Sequence, residues 1–451
     1  MMSRTALRAS RRSEHLACDD RRVIPRYLDF HRPERIRSIV RRALELPESK
    51  VPEMLKRVKA GFSSRHRDID GSFLEHYDRA IRHMRGATDI SERRKRLIGA
   101  YFTMEYSIES AALFNPSIVP HPDQTNLPPG GLRFLMSMRA TGEGHISSIV
   151  FRRGTIDGRG RMRFDPPPRF AHSARPVPDK RLDRQWFLRR LGQIGYDGPQ
   201  AHDTLEGLPD SFTPAQLRGR LNQVRRSAAR PQGFSRLAAT MRWLADAHYE
   251  LHFPPDCLPS ETVIFPATAY EGRGMEDLRL VRFVEEDGRS AFHGTYTAFD
   301  GARTYPMLLE TTDFHNFHVH ALSGRHARNK GLALFPRRVD GQYMMLSRHD
   351  GENVYLLTSQ DLHAWNAAEL LLTPREPWEL VQLGNCGSPL ETDEGWIVLT
   401  HGVGPVRKYC IGACLLDRDD PSKVIGRLRE PLLAPTARER EGYVPNVVYS
   451  C

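Results

Sequence analysis

Apolar residues recur at helical spacing through the first hundred residues. After Pro33-Glu34, a helix start, Ile36, Ile39, Val40, Ala43 and Leu44 share one face, and Pro47 stops the run. Met54, Leu55 and Val58 predict a second helix ending near Gly61. Phe73, Leu74, Tyr77, Ala80, Ile81 and Met84 predict a third, closed by Gly86. A fourth starts after Ser91 and carries Leu97, Ile98 and Phe102 towards Asn115-Pro116. At Phe114 the pattern changes. Short apolar runs at 118–119, 132–138 and 146–151, broken by Pro, Gly and Asp, read as strands joined by turns. Arg139 ends one of them and His145 begins the next.

Helical spacing returns between 173 and 253. Trp186, Phe187, Leu188 and Leu191 form one patch. Thr213-Pro214-Ala215-Gln216 has the form of a capping box, followed on one face by Leu217, Leu221 and Val224. Leu237, Met241, Leu244 and Tyr249 predict a further helix. From Glu261 onward the reading is all strand, with apolar runs at 262–265, 278–283, 291–297, 305–309, 317–321, 332–336, 343–347, 354–358, 396–400, 409–416 and 444–449. Asp300-Gly301, Asp340-Gly341 and Asp350-Gly351 are turn signals between them. Such spacing predicts a sandwich, barrel or propeller. The related outlines Thr312-Asp313-Phe314 and Asp361-Leu362-His363-Ala364-Trp365 favour propeller blades.

Composition narrows this to a globular chain. Of 451 residues, 39% are hydrophobic and 27% charged, and no apolar run is long enough to span a bilayer. Residues 1–22 are rich in arginine and serine but lack the apolar stretch of a secretory signal. They read as a tail, with a faint transit-peptide character because the first acid is Glu14. The net charge of +11 comes mainly from arginine in the N-terminal half. It suits a solvated surface that attracts phosphate or anionic substrates; no basic-aromatic module for nucleic acid is present. Six scattered cysteines without C-x-x-C spacing suit a reducing, cytoplasmic location. Cys410 and Cys414, with His401 nearby, read as buried thiols and not as a metal set.

The densest candidate chemistry is the stretch from Glu271 to Arg279, where a glycine turn delivers Glu276 and Asp277 into a strand. Strict alternation would put Asp277 and Arg279 on one face and Glu276 on the other. On local pattern alone such a pair reads as solvated loop. His315, His318 and His320 resemble a metal set, but the sequence shows no matched carboxylate, and no metal is expected there. Gly384 and Gly387 lack the Lys-Ser/Thr of a nucleotide loop.

A dispersed, ordered series of motifs resembles glycoside hydrolase family 130, the β-mannoside phosphorylases and β-mannosidases. The series comprises Asn115-Pro116-Ser117, Met138-Arg139, Glu276-Asp277-Leu278-Arg279, residues 296–301 and residues 329–336. It continues with Ser347-Arg348-His349, residues 384–389, His401-Gly402, Leu415-Leu416-Asp417 and residues 442–447. The resemblance implies a five-bladed β-propeller with the sugar site at one end of its channel. It divides the chain into a tail and helical region (1–111), a first propeller segment (112–172), a helical insertion (173–259) and the remaining blades (260–451). The sequence ends at Tyr449-Ser450-Cys451 within an expected strand, so the propeller is expected to be cut short or closed another way.

The resemblance makes Asp277 the general acid, its proton passing through a hydroxyl of the bound mannosyl unit; Leu278 departs from the family's usual proline. Inverting hydrolysis needs a second carboxylate to activate water, whereas phosphate is already anionic and needs cations to hold it. The matching positions hold Lys330, Arg348 and His401, all able to carry charge, and Tyr409 lines the same pocket. Asn115, Arg139, Glu276, Arg279 and Asp300 are the candidate sugar-binding residues. The expectation is phosphorolysis of β-mannosides to α-mannose 1-phosphate, with oligosaccharide and phosphate as partners and no cofactor. No nucleic-acid or membrane partner is expected, and a homo-oligomer is allowed. A water-using β-mannosidase with Glu276 or another acid as base is the second reading, and a non-catalytic carbohydrate-binding propeller the third.

Overall fold

The computed structural model describes residues 9–84, 89–177, 180–227 and 233–451. It is mostly β, with a bundle of N-terminal helices and a second helical layer. The N-terminal helices Pro33–Leu44, Val51–Phe62, Ile69–Ile81 and Glu92–Tyr101 begin where proline or a side-chain cap satisfies the first turn. Pro33 opens one, and Asp68 and Ser91 accept from Gly71 N and Arg94 N in two others. A Cβ at Gly99 would stand 1.7 Å from the Phe73 carbonyl oxygen, so only glycine lets the third and fourth helices approach this closely. The Gly86 cap lies outside the described residues.

The fourth helix stops well short of Asn115. The Thr103 hydroxyl donates to Gly99 O, and Thr103–Ser107 then pairs antiparallel with Val23–Tyr27. That partner strand, between the residues read as tail and the first helix, ends the helix. Tyr249 likewise leaves its helix, which spans Phe234–Asp246, and begins the strand Tyr249–His252.

Strand pairing resolves into four antiparallel meanders. The first comprises Ala112–Pro120, Leu132–Thr141, Ser147–Ile156 and Met162–Phe164. Gly274–Val284, Ser290–Phe299, Thr304–Thr311 and Asn316–Ala321 form the second, widened by Tyr249–His252. Lys330–Leu334, Tyr343–Arg348, Val354–Ser359 and Ala367–Leu372 form the third. The fourth holds Gln382–Asn385, Gly395–Gly404, Lys408–Leu416 and Val424–Arg427. The first strands of successive meanders lie against one another. Separate apolar clusters fill the spaces between meanders, one around Phe283, Met345 and Trp365 and another around Phe335, Leu346 and Trp396.

No fifth meander and no closed ring appears among the described pairings. The expected strand at 444–449 is absent: Pro445 offers no N–H, Asn446 turns to φ 62°, and only an isolated bridge from Val447 to Tyr409 remains. Four helices, Arg184–Gln193, Pro199–Glu206, Pro214–Arg226 and Phe234–Asp246, form the second layer around their own core. The Thr213–Gln216 capping box is present in both directions. Arg190 fixes this layer to the second meander by donating to Ala321 O at 2.9 Å. No helix of the described residues is long and apolar enough to cross a membrane.

Candidate active site

Three β-bulges deliver the central residues. Pairing slips between Phe114 and Ser117, between Glu276 and Arg279, and between Lys330 and Ala333. Each slip contains a residue of positive φ: Asn115 (54°), Asp277 (59°) and Gly331 (91°). A bulge interrupts the two-residue alternation and re-aims the side chain beside it. Because each bulge sits in the first strand of its meander, Asn115, Asp277 and Lys330 converge on one cavity of about 900 Å³. Arg139, Arg348, His401 and Tyr409 line the same cavity, so seven of the sequence-derived site residues meet there.

The bulge overturns the expectation that Glu276 and Asp277 face opposite ways. Arg139 reaches both, with Nη2 2.8 Å from Glu276 Oε1 and Nη1 3.5 Å from Asp277 Oδ1. Glu276 also pairs with Lys330 through its other oxygen. Only 8% exposed and absent from the cavity lining, Glu276 holds two cations in place and offers no free oxygen to a sugar. Arg279 does not line the cavity either. It lies buried beneath the lining, donates to Cys386 O, and donates to the Tyr449 hydroxyl at 2.6 Å. Asp300 is engaged by its own turn. Its Oδ1 accepts from Ala302 N and Arg303 N, its Oδ2 from the Tyr305 hydroxyl, and it does not line the cavity.

Asp277 accepts from Asn115 Nδ2 at 2.5 Å. Burial by itself would raise its pKa. The charges of Arg139, Arg279 and Lys330 and the Asn115 bond outweigh burial and hold the carboxyl below its usual range. Arg348 stands opposite Lys330 in register and donates to Gly351 O at 3.0 Å, while its buried Nε has no hydrogen-bond partner. His401 departs from expectation. It is 1% exposed, and burial beside Arg348 and Arg279 pushes its pKa well down, so the ring is neutral and not a third cation. Its plane lies 15° from that of Tyr409 at a 6.0 Å centroid distance.

The sequence reading missed the outer wall. His15, Leu16, Ala17 and Cys18 line the cavity, as do Arg407, Arg438, Glu439 and Tyr443. Arg11 clamps Glu439 through Nε and Nη2, each at 2.9 Å, and that bond draws the Glu439 pKa down to about 2. Tyr443 stacks on Phe114 at 5.8 Å. The shared motif at 442–447 was the available signal for Tyr443; the 15–18 segment has neither periodicity nor motif.

The histidine set differs as well. Glu310, His320 and His363, and not His315, form the one group of metal-ligand geometry among the described residues. The carboxylate missing from the linear reading comes from the neighbouring strand. Cys410, Cys414 and His401 do not come together as such a group.

A family model described as beta-1,4-mannooligosaccharide phosphorylase matches residues 257–451. A 1,2-beta-oligomannan phosphorylase of Thermoanaerobacter sp. (strain X514) is 38% identical over 191 residues, 41% of this chain and 62% of that protein. A beta-1,2-mannobiose phosphorylase of Listeria innocua is 29% identical over 237 residues, 50% of this chain and 63% of that protein. The chain thus spans about three fifths of the length of these curated relatives. The solved complex of Listeria innocua beta-1,2-mannobiose phosphorylase with beta-1,2-mannobiose aligns with a TM-score of 0.41 at 20% identity, over 76% of this chain and 82% of that one.

Proposed function

We propose, on the premise that residues 257–451 are those of glycoside hydrolase family 130, that the protein cleaves β-mannosides by inverting phosphorolysis. The observation that carries the reading is a largely buried carboxylate, Asp277, set among Arg139, Lys330 and Arg348 in a single cavity. A water-using route would need a second carboxylate as base. Glu276 is held by Arg139 and Lys330 and Glu439 by Arg11, while Glu441, the remaining carboxylate of the lining, is exposed on the outer wall.

In this mechanism hydrogen phosphate binds between Lys330 and Arg348, with the neutral His401 and Tyr409 beside it. A phosphate oxygen attacks the anomeric carbon from the face opposite the leaving group. The new C–O bond forms as the glycosidic C–O bond breaks, giving α-mannose 1-phosphate. Asp277 supplies the proton to the departing oxygen through a mannosyl hydroxyl, and the proton carried by hydrogen phosphate restores it. Asp277 is ionised in the free protein. Phosphate supplies the missing condition, since its negative charge offsets Lys330 and Arg348 and raises the Asp277 pKa as the site fills. Asn115 and Arg139 orient the acid and the sugar.

We further infer that the four meanders are blades of a five-bladed propeller whose channel opens at the cavity. Residues 112–172 and 260–451 would carry the blades, with 1–111 and 173–259 as helical additions. The side-by-side first strands support that arrangement.

The test is phosphate release from α-mannose 1-phosphate with a panel of sugar acceptors, wild type beside Asp277→Asn. Acceptor-dependent release that disappears in the variant is the expected result. Cleavage of a β-mannoside at the same rate without phosphate would reverse the reading in favour of hydrolysis.

A further inference from the structure

A second cluster lies on the second meander, where the helical layer meets it. Register places His293, Glu310 and His318 side by side on three adjacent strands, with His320 two residues along on the same face. His363 enters from the turn after Val354–Ser359, in the third meander. Single ligand atoms of Glu310, His320 and His363 all lie within 4.8 Å of one another. Glu310 Oε2 is 3.4 Å from His320 Nε2, and Oε1 is 3.8 Å from His363 Nε2 and 3.3 Å from His293 Nδ1. Ligands at about 2.0 Å from a tetrahedral zinc ion are separated by about 3.3 Å, so modest side-chain rotation closes this set onto an ion.

Two further observations point to a ligand. His363 Nε2 is buried without a hydrogen-bond partner, and His293, 9% exposed, faces Glu310 Oε1 through Nδ1. Second, His363 Nδ1 lies 3.5 Å from Asp361 Oδ1. That leaves Nε2 as the lone-pair nitrogen and builds a carboxylate–histidine pair of the kind that backs metal-bound imidazoles. The nearby cations are occupied: Lys180 pairs with Glu250 at 3.0 Å, and Arg190 lies 3.8 Å from Asp361. The ring of His248 packs edge-on to His320 at 5.0 Å and shields it from one side.

We infer that Glu310, His320 and His363 bind a divalent transition metal of the zinc class, with His293 backing Glu310. Two imidazoles and one carboxylate are the donor set such ions prefer over magnesium or calcium, which take oxygen ligands. The ion would join the second meander to the third at a place outside the cavity that Asp277 lines. Its role is to hold those two meanders in register.

The experiment is calorimetric titration of zinc chloride into the untagged full chain after chelator treatment. One equivalent is expected to bind, and His320→Gln and Glu310→Gln should each weaken that uptake by about 100-fold or more, with far-UV circular dichroism unchanged. Asp361→Asn should weaken it by about 10-fold to 100-fold. X-ray absorption on the zinc-loaded wild type should give nitrogen and oxygen neighbours only, a readout independent of whether the variants fold. No uptake, uptake unaltered by both ligand variants, or a sulfur shell from the free cysteines would each overturn the assignment.

Discussion

Glu276→Gln separates charge from shape on the cavity floor. Glu276 holds Arg139 at 2.8 Å through one oxygen and Lys330 through the other. Glutamine keeps the size and one acceptor but removes the charge, leaving Arg139 and Lys330 to face Asp277 alone. At 2.8 Å and an effective dielectric of about 20, the lost attraction to Arg139 is at most roughly 6 kcal/mol. The retained hydrogen bonding and water bring the net loss of stability to about 1–3 kcal/mol. Two kinetic effects of opposite sign follow if phosphate is the nucleophile. A phosphate dianion in the cavity is no longer repelled by that carboxylate, and relief of roughly 1.4 kcal/mol lowers its KM by about tenfold. Asp277 meanwhile sits in a more positive field, holds its proton less well, and protonates the leaving oxygen less often, so kcat falls by about tenfold. Initial rates of mannose 1-phosphate formation against phosphate concentration, wild type beside variant, read both. A phosphate KM that rises, in a variant melting within a few degrees of wild type, would mean that Glu276 acts by shape and not by charge.

Asn115→Ala removes the 2.5 Å bond that helps keep Asp277 ionised, and puts alanine at φ 54°. Its pH–rate profile should keep activity to higher pH, with kcat/KM down about tenfold; an unshifted alkaline limb counts against that bond. Gly384→Ala would place a Cβ 2.4 Å from His401 Cε1 and 3.1 Å from Arg348 Cδ. Overpacking of about 1–3 kcal/mol should lower Tm by a few degrees and weaken phosphate binding, both absent if the rings move freely. His76 is buried, and burial lowers its pKa to about 4. The unfolded chain therefore takes up the proton first, near pH 6.5, so this contribution to stability is complete above that pH and is lost as pH falls towards 4. The loss is roughly 3 kcal/mol, and denaturant titrations of His76→Gln should lack that part of the slope.

The sequence carried most of the strands and the inner residues of the cavity because both are local. Runs such as 332–336 and 396–400 report burial on a sheet, and the dispersed motifs mark Asn115, Arg139, Asp277, Lys330 and Arg348 one at a time. What alternation cannot reveal is a bulge. One inserted residue changed the neighbours of Glu276, Asp277 and Arg279 together. Burial, equally invisible in one dimension, turned His401 from a cation into a neutral ring. The histidines show the same limit. Along one strand His315, His318 and His320 look like the set, yet cross-strand register and a turn from another meander select Glu310, His320 and His363. The fourth helix ended early because its continuation found a strand partner some eighty residues upstream, which no periodicity in the helix itself reports.

The clamp of Arg11 on Glu439 joins residues 428 positions apart. Closing a loop of that length costs on the order of 5 kcal/mol in chain entropy, whereas a partly exposed ion pair returns about 1 kcal/mol or less. The clamp cannot therefore draw the two segments together; they must first be brought near each other by everything folded between them. That fixes an order of assembly. The cavity floor, where bulges of three meanders meet, must stand before the wall made of His15 to Cys18 against Glu439 and Tyr443 can close on it.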